Sequence, residues 1–96
     1  MNTTEHLLVC LAEECAEVQQ AVAKALRFGL QGGYSGADAT NAQDIAREVS
    51  DLIAVVQLLE ERGIIEQGSR VAAIEQKKAR VSKHMEYARI KGTLSD

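Results

Sequence analysis

No proline interrupts the chain anywhere, and apolar residues recur at helical steps over most of its length. Leu8, Leu11, Cys15, Val18, Val22 and Ala25 follow one another at intervals of three and four, and Ile45, Val49, Leu52, Ile53, Val56 and Leu59 make a second helical stripe in which only Leu52 and Ile53 are adjacent. That period is the mark of an amphipathic helix, and without proline nothing breaks it except glycine. The glycines fall between the periodic stretches, four of them within residues 29–41 and others at Gly63, Gly68 and Gly92. A third, weaker stripe of Ile74, Val81, Met85 and Ala88 follows Ser69. Three long helices are therefore expected, with Thr3 or Thr4, then Thr40 or Asn41, then Ser69 as their caps, and Gly29 and Gly63 ending the first two.

The chain has 96 residues, enough for one domain with one core and marginal for a monomer. Only Phe28, Tyr34 and Tyr87 are aromatic, and alanine supplies much of the apolar share. Small side chains let helices approach closely but leave a thin core. The expected fold is all-α: a bundle of three long helices in a single domain over 1–96, completed by oligomerisation into four-helix-bundle-like packing. Residues 29–41 are long for a connection in a small bundle, where about two to eight suffice. They read either as a lid over a site or as tolerated slack. Residues 91–96 read as a frayed tail.

Cys10 and Cys15 lie on different faces of one helix and should not bridge. Two thiols outside any disulfide framework, no leader segment and no apolar run of membrane-spanning length make the cytoplasm the expected location and exclude a membrane partner. Net charge is -3, unevenly spread. Residues 1–69 carry a balance of -7 and residues 70–96 one of +4. One half of the fold could complement the other; alternatively, one site holds both a metal ion and a polyphosphate. An acidic chain with few aromatics is a poor fit to nucleic acid.

Within the first two helices stand Glu14-x-x-Glu17 and Glu48-x-x-Asp51. Residues three apart lie on one side of a helix, so each motif aims two carboxylates the same way. One such pair is ordinarily a solvated helix face. Two pairs bordering apolar stripes bring four like charges together when the helices pack, and only protonation or a divalent cation relieves that repulsion. Four oxygen donors, with His6 and His84 isolated, suit Mg²⁺, or Mn²⁺, better than Zn²⁺. No Glu-x-x-His is present to build a di-iron site. Lys24, Arg27 and the third helix offer positive charge, although long basic stems commonly just cover a bundle's flank.

Taken in order, these motifs resemble the signature of the MazG-like, all-α nucleoside triphosphate pyrophosphohydrolases, relatives of the dimeric dUTPases and dCTP pyrophosphatases. The likeness runs from about Leu11 to Ala88 and includes Lys-Ala-Leu-Arg-Phe-Gly at 24–29 and Asp-Leu-Ile-Ala-Val-Val after Glu48. It implies that Glu14, Glu17, Glu48 and Asp51 bind Mg²⁺. It further implies hydrolysis of a nucleotide between its α and β phosphates, with Glu17 as base, Lys24 and Lys78 as phosphate contacts, and Tyr87 against the nucleotide. A homodimer or homotetramer is implied as well. The thirty residues between Glu17 and Glu48 stand towards or beyond the long end of the family's spacing. Substrate identity therefore does not carry over. The competing reading, from a different class, is a catalytically idle helical module that keeps the fold and binds a protein partner.

Overall fold

The computed structural model describes residues 1–33 and 38–96. It contains α1 (Thr3–Phe28), α2 (Asn41–Glu61) and α3 (Arg70–Lys91), with no strand among the described residues. The all-α expectation is met. The chain divides into two compact units, Met1–Glu66 and Gln67–Asp96.

In the first unit α1 starts one residue earlier than either threonine allows. Asn2 is the cap: its Oδ1 accepts from Glu5 N at 2.8 Å while its Nδ2 donates to Glu5 Oε1 at 3.0 Å. Asparagine outranks threonine at this position, and Thr3 and Thr4 become part of the first turn. At the other end Gly29 donates to Ala25 O at 2.8 Å. Its φ of 90° is positive as expected, but its ψ of 148° is extended, so the chain leaves the helix outwards instead of closing a left-handed cap.

Three hydrogen bonds then sew the end of α1 to the start of α2. Asn41 N donates to Gly32 O at 2.8 Å, Ala42 N to Leu30 O at 2.8 Å, and Asn41 Nδ2 to Gly29 O at 2.9 Å. Asn41 is consequently buried, so the cap falls to Thr40. Thr40 Oγ1 accepts from Gln43 N at 3.1 Å and Thr40 N donates to Gln43 Oε1 at 2.8 Å, a reciprocal capping box. Gly32 has no substitute here, because a Cβ would collide with the Phe28 carbonyl oxygen. Residues 34–37, the part of the loop that would form a lid, lie outside the described residues. At the far end of α2, Gly63 adopts a φ of 69° and the Leu59 carbonyl accepts from Ile64 N at 2.9 Å.

Which residues face inwards corrects the sequence reading. On α1 the covered row is Leu7, Leu11, Glu14, Val18, Ala21 and Ala25, alternating steps of four and three, with Cys10 half-buried at its side. Leu8, Cys15 and Val22, read as core, are exposed. On α2 the corresponding series is Ile45, Glu48, Leu52, Val55 and Leu59, flanked by Val49 and Val56, while Ile53 is exposed. Each helix carries two neighbouring apolar rows, and periodicity alone does not say which one its partner takes. Ala21 and Ala25 allow close approach, and Leu59 is wholly buried. Glu14 and Glu48 each stand in the packed seam, where the pattern would otherwise put an apolar side chain.

The second unit is one helix with its ends. Ser69 precedes α3 but makes no side-chain cap bond, its ψ of 51° turning the hydroxyl away from that role. Ion pairs one turn apart, Lys78 with Glu75 at 3.3 Å and Arg89 with Glu86 at 3.4 Å, run along the surface. Where fraying was expected, Thr93 N donates to Ala88 O at 2.9 Å and Arg89 Nε to the Asp96 carbonyl at 2.6 Å. No residue of α3 is buried.

Candidate metal centre

Glu14 and Glu17 stand one turn apart on α1, and packing α2 against that face brings Glu48 between them. One carboxylate oxygen from each of the three lies within 4.8 Å of the others. Glu14 and Glu48 are half-buried and Glu17 is open to water. Glu14 Oε2 and Glu48 Oε2 are both shut off from solvent without a hydrogen-bond partner. Buried carboxylate oxygens without a donor are costly, and a fold tolerates them where something else completes the site.

The carboxyl of Glu17 responds to this crowding. Its pKa is raised above the ordinary value, first by a hydrogen bond with Glu48, then by the negative charges of Glu14 and Glu48, then by desolvation and the charge of Asp51. Two carboxylates at hydrogen-bonding distance need a proton between them, because neither has one to donate when ionised. A proton or a cation is what this crowded group lacks, and the buried Glu48 Oε2 stands without a partner.

Asp51 lies outside the three-oxygen cluster and is exposed, although its charge reaches Glu17. Lys24 lines a cleft of about 60 Å³ together with Glu17, Gln20, Asn41, Asp44, Arg47 and Glu48. Each helix thus brings both an acid and a base to one cavity, Glu17 and Lys24 from α1, Glu48 and Arg47 from α2. Arg27 is elsewhere engaged, its guanidinium 4.8 Å from the centre of the Phe28 ring. Lys78 and Tyr87 belong to the second unit, where Lys78 pairs with Glu75 and the Tyr87 ring has Lys91 Nζ at 5.6 Å. Cys10 and Cys15 are free thiols, unbridged as expected.

Sequence reasoning passed over Arg47. Its Nη1 lies 3.0 Å from Glu48 Oε1 and its Nη2 3.6 Å from Asp44 Oδ1. The available signal was its place beside Glu48 and one turn after Asp44, where a long side chain reaches both. Asn41 was considered only as a cap, and its bond across to Gly29 O left no local trace.

A helical hairpin that gathers carboxylates from both strands of its seam, beside a cleft bearing lysine and arginine, defines an all-α protein with an acidic cluster able to hold a divalent ion. The chain belongs to the MazG family: residues 2–86 match the MazG nucleotide pyrophosphohydrolase domain. Members of that family are typically dependent on divalent metals. No curated protein and no solved structure gave a match. No helix among the described residues is long and apolar enough to cross a membrane.

Proposed function

We propose that this chain is an Mg²⁺-dependent nucleotide pyrophosphohydrolase that clears non-canonical or surplus (deoxy)nucleoside triphosphates in the cytoplasm. Water adds at the α–β phosphoanhydride, that bond breaks, and a nucleoside monophosphate and pyrophosphate leave. The observation that carries the reading is the pair of orphaned, solvent-shielded oxygens of Glu14 and Glu48, converging with Glu17 on one gap. An all-oxygen donor set of this kind fits Mg²⁺, with Mn²⁺ as the nearest substitute. Glu14, Glu17 and Glu48 would hold the ion, with Asp51 joining them by a change of side-chain rotamer. When bound, Mg²⁺ neutralises phosphate charge and lowers the barrier to attack by water.

The chain's own residues supply the rest. Glu17, open to solvent and with its pKa raised by the crowding, accepts the proton of the attacking water. Lys24, two turns along α1 from Glu17 in the same cleft, offsets negative charge on the phosphates. Lys78 as a further phosphate contact and Tyr87 against the nucleotide follow from the family resemblance. Assembly into a homodimer or homotetramer has the support of exposed apolar rows, Leu8 and Val22 on α1 and Val71, Ile74, Val81 and Met85 on α3.

The test is pyrophosphate release from a panel of canonical, deoxy and damaged nucleoside triphosphates, with and without Mg²⁺. Wild type should release pyrophosphate only with the metal, and Glu48→Gln should lose more than about 100-fold, beyond the 10–100-fold typical of residues that merely support a ligand. No release from any nucleotide by folded, Mg²⁺-loaded protein would transfer the case to the idle interaction module.

A further inference from the structure

Three carboxylates crowded into one gap push each other outwards, so each needs something to hold it in place. Glu48 has a side chain only 13% exposed, and its Oε2 is without a partner. Its other oxygen is held: Arg47 Nη1 reaches Oε1 at 3.0 Å. Arg47 is itself anchored through Nη2, 3.6 Å from Asp44 Oδ1, so one planar guanidinium spans two acids along a single face of α2. The two oxygens of Glu48 thus differ, Oε1 being fixed to Arg47 and Oε2 buried without a partner on a carboxyl that converges with those of Glu14 and Glu17.

We infer that Arg47 is a positioning residue, holding Glu48 by Oε1 so that Oε2 stays in the gap where a divalent cation binds. This rests on the reading of Glu14, Glu17 and Glu48 as cation ligands. Without the guanidinium, repulsion from the two α1 acids turns Glu48 towards water and the site has to be reassembled for each ion. An opposite effect also exists, because a positive charge nearby repels a cation. It is the weaker one: the Arg47 side chain is 62% exposed, so water screens it, and its charge is shared between Glu48 and Asp44. Partners that orient a metal ligand typically contribute 10–100-fold in metal affinity. An exposed arginine belongs at the lower end, about tenfold.

The experiment is a thermal-melt titration with Mg²⁺ alone, without nucleotide, on wild type, Arg47→Gln and Arg47→Lys. Wild type should melt higher as Mg²⁺ rises, since an ion that binds only the folded chain stabilises it. Arg47→Gln should keep its metal-free Tm but require about tenfold more Mg²⁺ for the same rise. Arg47→Lys, which keeps the charge but loses the two-pronged fork, should fall between them. An Arg47→Gln midpoint equal to or below that of wild type overturns the inference while leaving the cation site standing. So does a lower metal-free Tm with an unmoved midpoint, which would mark Arg47 as merely structural. A wild type indifferent to Mg²⁺ removes the cation site and the role of Arg47 together.

Discussion

The unit Met1–Glu66 and the unit Gln67–Asp96 keep their helices in different ways. In the first, Leu59 is wholly buried, Asn41 reaches across to Gly29 O, and α2 starts on a reciprocal cap. In the second, α3 buries nothing, starts on a serine with no side-chain bond, and is laced by ion pairs between neighbouring turns. Surface pairs of that kind add little stability. The acids of α1 and α2 are therefore placed by contact between the two helices, whereas the positions of Lys78 and Tyr87 along α3 follow from local helix geometry alone. Precision sits where the carboxylates are.

The sharpest way to break this contrast is to shorten one side chain in each unit. Leu59→Ala should cost about 2–5 kcal/mol in urea unfolding, the usual range for a buried leucine. Ile74→Ala on α3 should stay within about 0.5 kcal/mol, as exposed substitutions do. Equal losses would mean that the α3 row is covered in solution, and a dependence of the loss on protein concentration would identify a second copy as the cover.

A smaller effect separates the two helix starts. Thr40→Ala should lower the unfolding free energy by about 1 kcal/mol, because it removes the acceptor for Gln43 N. Ser69→Ala should change it by less than about 0.5 kcal/mol, since that hydroxyl caps nothing. Chemical denaturation of both variants under one set of conditions checks the pair, and a Ser69 loss as large as that of Thr40 would erase the distinction.

Smallest of all is a drift with pH, because Glu17 is open to water and screened. Its folded pKa lies above the ordinary 4.5, so the folded chain holds a proton that the unfolded chain has released. Metal-free stability should therefore rise as pH falls from neutral through the raised value, and the gain from this group should be complete near 4.5. The difference in Tm between wild type and Glu17→Gln, followed over that range, isolates the effect. A difference independent of pH, or one of opposite sign, would show that the acids do not crowd one another.

Much of this was legible in the chain. Proline-free apolar periodicity and well-placed glycines located all three helices within a few residues, and the spacing of Glu14, Glu17 and Glu48 placed them on facing helices. What failed to show was rotation. Leu7 and Leu8 are equally apolar, as are Ile53 and Val55, so the pattern does not reveal that the seam takes Leu7 and Val55 and with them Glu14 and Glu48. That rotation leaves Asp51 outside the cluster even though it lies three residues from Glu48. The Asn41 bond to Gly29 O joins residues twelve apart, and a local pattern has no sign for it.

One consequence of the sewn junction concerns tolerance to change. With Gly32 O accepting from Asn41 N, the residues that follow α1 and those that open α2 are tied directly to each other. Extra residues inserted between 33 and 40 should leave that tie and both helices in place, since each doubling of a loop costs only about 0.6 kcal/mol. The registration of α1 on α2 is in this sense insulated from loop length. The acidic seam of α1 and α2 stays in step whatever is added there.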